Sequence, residues 1–179
     1  MLKPNDNWKW FYTQDTQSLM LDLSDEYLYC VSFSHKHLLD QAKQTHSFSI
    51  DDAFYYEKYF ESVRHLNISG HRHLEVVFNA VAARRFYKPI LPKSWFFDRV
   101  DEGINPEDGA VVCLGNKFNQ GRFLIVENTG EASLCCCIEE HFQLNSTKEI
   151  ELGHIIKVMN DRMKYLALSI DEVNYAQVG

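Results

Sequence analysis

The chain has 179 residues, 45% hydrophobic and 24% charged, a composition that excludes a disordered polymer and predicts a packed core in one or two domains. A net charge of −7 argues against general nucleic-acid binding, because a phosphate backbone is gripped through clustered basic side chains. No stretch approaches the ~20 apolar residues of a membrane-spanning helix, and Lys3, Asp6 and Lys9 interrupt the region where a signal peptide would be apolar, so a soluble cytoplasmic protein is expected.

Three aromatic and aliphatic segments open the chain: Trp8 to Tyr12, Ser18 to Leu23 and Glu26 to Phe33. Polar intervals at Tyr12 to Gln17 and Ser24-Asp25 separate them, which predicts a β-meander. Trp8 and Trp10 are two apart and share one face of a strand, as do Leu19, Leu21 and Leu23. A short helix capped by Ser34 is expected over 35–43. The next helix carries Asp51 and Asp52 at its N-terminus and an apolar face of Tyr55, Tyr59, Val63 and Leu66. A second helix, capped by Ser69, presents Leu74, Val77, Phe78, Val81 and Ala82, and Pro89 stops it after Arg84, Arg85 and Lys88.

Beyond Ser94 the texture changes to short hydrophobic runs expected as strands, the first from Trp95 to Val100 and the last from Met163 to Leu168, separated by turn residues such as Asp108-Gly109, Gly115-Asn116 and Asn128-Thr129-Gly130. That pattern predicts a small closed or partly closed β-barrel, with a helix over 153–164 as an alternative for that segment. The fold class expected is therefore α+β. An N-terminal α/β domain over residues 1–90, a β-meander packed with helices, precedes a small C-terminal twisted β-barrel-like domain over 91–179. The Pro89 to Pro92 stretch forms a stiff boundary, and charge divides there too, residues 1–88 carrying a net −1 and residues 89–179 a net −6.

Lys88-Pro89-Ile90-Leu91-Pro92-Lys93-Ser94-Trp95 is the leading contact segment, since it sets two charges and an amphipathic indole on a semi-rigid connector; the bland alternative has Trp95 plugging a core. Trp8, Trp10 and Leu21 form either the core beneath the helices or a hydrophobic groove, and plain burial is the commoner outcome of such alternation. Arg162 either pairs with a partner carboxylate or closes a local turn with Asp161. Cys135-Cys136-Cys137 lacks zinc-ligand spacing; on a strand its outer members face one side and the middle one the other, as small core hydrophobes. All five cysteines, Cys30 and Cys113 included, fit free thiols. His65, His71 and His73 lack the spacing of a metal site. The loop Gly115 to Gly121 has no phosphate-loop lysine and reads as a hairpin loop, and no nucleotide or nucleophile motif is present. No cofactor and no enzymatic activity are therefore expected.

Lys3-Pro4-Asn5-Asp6-Asn7-Trp8-Lys9-Trp10, Leu19-Met20-Leu21-Asp22-Leu23, Lys88 to Trp95 and Ile156 to Met163 together resemble the ZapC family of bacterial cell division proteins over nearly the whole chain. The resemblance implies a cytoplasmic, non-enzymatic protein acting at the mid-cell Z-ring. There it binds the polymerised tubulin-like GTPase FtsZ, bundles its protofilaments, stabilises the ring and lowers GTP turnover. FtsZ would be touched by Lys88, Lys93, Trp95, Leu21, Trp8, Trp10 and Arg162, a groove at the tryptophans accepting its C-terminal tail being one form of this contact. Neither nucleic acid nor membrane is implied, and a monomer with two surfaces suffices to bridge filaments. An oligonucleotide-binding barrel and a thiol or metal enzyme are the alternatives.

Overall fold

Alternation of large apolar and polar residues in the first strands produces the meander, seen in a computed structural model that describes residues 2–25, 27–69 and 71–166. Strands β1 (Lys9–Thr13), β2 (Ser18–Asp22) and β3 (Leu28–Cys30) are joined by β4 (His46–Ser47) in an antiparallel sheet of order β3-β2-β1-β4. Trp10 pairs with Leu21 across the hairpin, and Trp8, Trp10, Leu19 and Leu21 all point inward and are buried. β3 is shorter than its hydrophobic run. A turn with left-handed Ser24 and Asp25 closes on the Leu23 amide, which donates to the Tyr27 carbonyl. At the other end the Ser32 amide is taken by the Asn79 side chain at 2.9 Å.

The segment expected as one helix over 35–43 forms two 3-10 turns, His35–His37 and Asp40–Lys43. Ser34 does cap the first. Leu38 and Leu39 between them are extended, bridging Tyr87 and donating from the Leu39 amide to the Phe86 carbonyl, and this tie to the second helix outcompetes helical continuity.

Helix α1 (Ile50–Val63) starts at a capping box in which Ser49 accepts from the Asp52 amide while Asp52 accepts from the Ser49 amide. Its buried face is Tyr56, Tyr59 and Val63, with Leu66 beyond the end; Tyr55 lies at the margin. Helix α2 (Arg72–Phe86) has His71 at its N-cap, not Ser69, whose hydroxyl instead donates to Glu140 across to the C-terminal half. Residues 76–83 of α2 are all buried, so the single apolar stripe expected from its period is exceeded. The helix lies between two sheets: Trp8, Trp10, Leu21 and Phe86 share one core cluster with Leu124, Val126, Cys136 and Ile155. Such a helix is apolar around most of its circumference, and Ala80, Ala82 and Ala83 allow the close approach.

The C-terminal half is a five-stranded antiparallel sheet of order β10-β7-β6-β5-β11. Its strands are β5 (Val111–Gly115), β6 (Gln120–Asn128), β7 (Ala132–Cys137), β10 (Ile155–Met159) and β11 (Lys164–Tyr165); a separate hairpin pairs β8 (His141–Gln143) with β9 (Glu149–Glu151). The two edge strands are consecutive in the chain, linked only through a 3-10 turn at Asn160–Arg162. Five flat strands would set those edges ~19 Å apart, whereas the link reaches only roughly 13 Å. The sheet therefore curls around Phe97, Phe123, Ile125, Phe142, Val158 and Met163. No pairing joins β10 to β11 among the described residues, so the barrel is left open. Residues 95–100, which read as a strand, instead contain a 3-10 turn at Ser94–Phe96 that drops Phe97 into the barrel, and the helix considered for 153–164 is strand β10 with its turn. Of the last expected strand only Lys164–Tyr165 is paired, with β5; Met163 closes the 3-10 turn and packs into the barrel core, and residues 167 and 168 lie outside the described residues.

Candidate functional site

The connector between the two sheets is held at several backbone points. The Lys88 amide donates to the His37 carbonyl at 2.7 Å and the Lys93 amide to the Lys157 carbonyl at 2.8 Å, while the Met159 amide donates to the Ser94 hydroxyl at 2.8 Å. This fixes where the side chains of the segment emerge. Lys88 and Lys93 are exposed. Trp95 is 71% exposed, its ring leaning on Phe96 at 5.5 Å, so it does not plug a core.

Beside the connector runs a cleft of about 420 Å³ with an apolar floor that includes Ile90, Phe96, Leu144 and Ile155, rimmed by His37, Lys93, Lys148 and His154, with Glu149 the one carboxylate in its lining. The His37 ring stacks on Tyr87, centroids 5.3 Å apart. Burial lowers the pKa of His37, helped by the nearby charges of Lys93, Lys36 and Lys88; burial and Lys93 also lower that of His154. Burial pushes the Tyr87 hydroxyl up to about 12. At neutral pH the imidazoles are thus neutral, and the rim carries Lys93 and Lys148 against Glu149, a net positive charge. An apolar floor with a cationic rim suits an acidic partner segment carrying an apolar side chain.

Trp8, Trp10 and Leu21 lie elsewhere. They are at most 1% exposed, and Trp10 donates its indole N–H to Asp52 at 3.0 Å. The core, rather than an open groove, is where this face goes. Arg162 is also apart from the cleft: its side chain is 18% exposed and bonded to Asp161, which also accepts from Arg99 at 3.0 Å. Slight burial opposes ionisation of Asp161, but those two guanidinium groups outweigh it and hold its carboxyl below the usual range. This is the local turn network.

The cysteine run divides as its alternation requires, with Cys135 and Cys137 inside the barrel and Cys136 against α2. Burial raises the pKa of all three thiols, Cys137 to about 12, so none is a ready thiolate. Among the described residues no group of three or more His, Cys, Asp or Glu is placed to hold a metal, and no helix is long and apolar enough to cross a membrane. The loop after Gly115 is a side-chain-closed turn, Asn116 accepting from the Phe118 and Asn119 amides.

Sequence reasoning missed His37, Tyr87, Phe96, Leu144, Lys148 and His154, which long-range contacts bring to the connector. Only Asn145-Ser146-Thr147-Lys148 carried a legible local signal, an asparagine placed to close a turn.

Two family models match the chain: cell-division protein ZapC, N-terminal, over residues 1–88, and cell-division protein ZapC, C-terminal, over residues 89–168. A cell division protein ZapC from Aliivibrio salmonicida is 45% identical, the alignment covering the whole of both chains. One from Photobacterium profundum is 44% identical over 91% of this chain and 92% of its own; one from Vibrio cholerae is 40% identical over 91% of each. The chain belongs to the ZapC family of cell division proteins.

Proposed function

We propose that this family member is a non-enzymatic cytoplasmic protein of the mid-cell Z-ring that binds polymerised FtsZ, bundles its protofilaments and so lowers GTP turnover. The observation that carries the reading is the connector: Lys88, Lys93 and Trp95 are exposed from a backbone held on both sides, next to an apolar cleft, on a chain of net charge −7. A preorganised basic and aromatic surface on an otherwise acidic molecule favours one contact orientation with an acidic partner and disfavours others. Lys88, Lys93 and Trp95 make the direct contacts. Trp8, Trp10 and Leu21 contribute from within the core by holding the sheet under α1 and α2, and Arg162 by fixing the turn after β10. Bridging two filaments needs two contacts, and a monomer makes both if a surface of the unit 1–90 acts beside the connector on 91–179.

The test is sedimentation of the protein with FtsZ, with and without GTP, followed by light scattering. GTP-dependent co-pelleting with raised scattering is expected for the native chain, and loss of both for Lys88→Glu/Lys93→Glu at unchanged melting temperature. Normal bundling by that double variant would sink the site assignment, and absence of native co-pelleting would sink the function.

A further inference from the structure

A second groove of about 450 Å³ lies on the other side of the Phe96 and Leu144 wall, and it contains Trp95, Lys117 and Phe118. Phe96, Leu144 and Lys148 line both grooves. The wall is rigid for reasons written in its asparagines. The Asn116 side-chain amide donates to the carbonyls of Phe96 and Gln143, both at 3.0 Å, tying the turn that carries Trp95 to the β8–β9 hairpin. The Asn145 side chain accepts from the Thr147 and Lys148 amides at 2.9 and 2.7 Å, and the Leu144 amide donates to the Lys148 carbonyl at 2.9 Å, which sets the position from which Lys148 projects.

Three aromatic rings, Trp95, Phe96 and Phe118, and the ammonium groups of Lys117 and Lys148 are thereby gathered at one surface. The Lys148 ammonium lies 5.9 Å from the centre of the Phe96 ring and that of Lys117 5.1 Å from the Phe118 ring. Lys93, Lys117 and Lys148 face the two grooves against Asp98 and Glu149, and Glu149 is already engaged by His141. Elsewhere residues 89–179 are strongly acidic, with a net charge of −6 for the half as a whole, so this cluster is a local inversion of sign.

We propose that Lys117 and Lys148 are partner-binding residues, and that the Trp95–Phe118 groove seats an acidic segment of the filament partner with a large apolar side chain on the exposed indole. The assignment rests on the filament-binding reading above and extends its contact surface across the shared wall to the turn of the β8–β9 hairpin. Charge complementarity identifies the occupant: exposed aromatic rings flanked by ammonium groups recognise apolar bulk and carboxylate together, and such clusters set encounter rate and orientation.

Three chains are compared in GTP-dependent co-pelleting at low and high salt: native, Lys88→Glu/Lys93→Glu, and Lys117→Glu/Lys148→Glu. The last is expected to bind about tenfold more weakly, with a shallower salt dependence, because rim charges act through steered association. Lys117→Arg/Lys148→Arg should bind as the native chain does. Thermal melts of both should match the native protein, since surface changes usually stay within about 0.5 kcal/mol. Full binding by Lys117→Glu/Lys148→Glu alongside loss by Lys88→Glu/Lys93→Glu overturns this inference and leaves the function standing. Absence of native co-pelleting overturns both. The emission of Trp95, isolated by subtracting a Trp95→Phe chain, should shift to the blue when filaments bind the native protein, and an unmoved spectrum contradicts the groove.

Discussion

Asp52 is 4% exposed, and its Oδ2 receives three donors: the Trp10 indole N–H at 3.0 Å, the Ser49 amide at 2.9 Å and the Arg85 guanidinium. The one carboxylate thus caps α1, satisfies a buried indole and pins the end of α2. Replacing it with alanine keeps the Asp52 amide and its bond to the Ser49 hydroxyl but strands the other donors. A buried donor left unpaired costs about 1–3 kcal/mol, and breaking a buried ion pair about 3–5. Arg85 retains the Ser47 carbonyl at 2.9 Å and its side chain is 27% exposed, so it re-solvates in part and counts, like each of the other two donors, at about 1 kcal/mol. Asp52→Ala should therefore lose about 3 kcal/mol, which for a chain of this size lowers the melting temperature by roughly 6–12 °C. Asp52→Asn keeps an acceptor and should fall between. Urea unfolding followed by tryptophan emission measures this, with circular dichroism as the second probe. A loss below about 1 kcal/mol for the alanine variant would refute the reasoning, because it would mean the three donors find water or other acceptors at no cost.

Gly153 has φ +89°, and a Cβ there would lie 2.5 Å from the Asn79 Nδ2, which holds the Ser32 and Tyr29 hydroxyls at 3.0 and 2.9 Å. Gly153→Ala should cost about 2–4 kcal/mol in a urea titration, through strain and a disturbed buried amide; a neutral result would mean the Asn79 network is dispensable. Thiol titration of the native protein should find Cys30 and Cys113 accessible and Cys135, Cys136 and Cys137 silent until denaturant is added. His37 and His154 have lowered pKa values in the fold. The unfolded chain therefore binds protons first as pH drops below about 6.5, and stability should fall from its neutral value until the folded pKa values are passed. Lys93→Gln should raise both imidazole pKa values in an NMR titration; unmoved values would remove Lys93 as their neighbour.

The meander was readable because period-two alternation and turn residues act locally: Trp8 and Trp10 share a face in the sequence and in the fold. The division of the three cysteines followed from the same alternation. The end of α2 was signalled by Pro89, but its burial was not, because the second sheet that covers it is supplied by residues some 40 positions later, such as Leu124 and Val126. The failed helix over 35–43 has a similar cause, since Tyr87 and Phe86 recruit Leu38 and Leu39 from outside any local window. At the site, the prolines and charges of the connector identified Lys88, Lys93 and Trp95, whereas the Phe96, Leu144 and Lys148 wall depends on Asn116 joining segments remote in sequence.

With Trp8 on one side of α2 and Val126 on the other sharing a core, and the Tyr59 hydroxyl donating to the Val126 carbonyl at 2.7 Å, the described residues leave no seam along which one half could swing against the other. Under the proposed bundling function, such a block would transmit load between filaments without flexing. The distance and angle it imposes on neighbouring filaments are then properties of its core, so a cavity at Val77 or Val81 would soften the lattice spacing of a bundle even with every surface lysine in place.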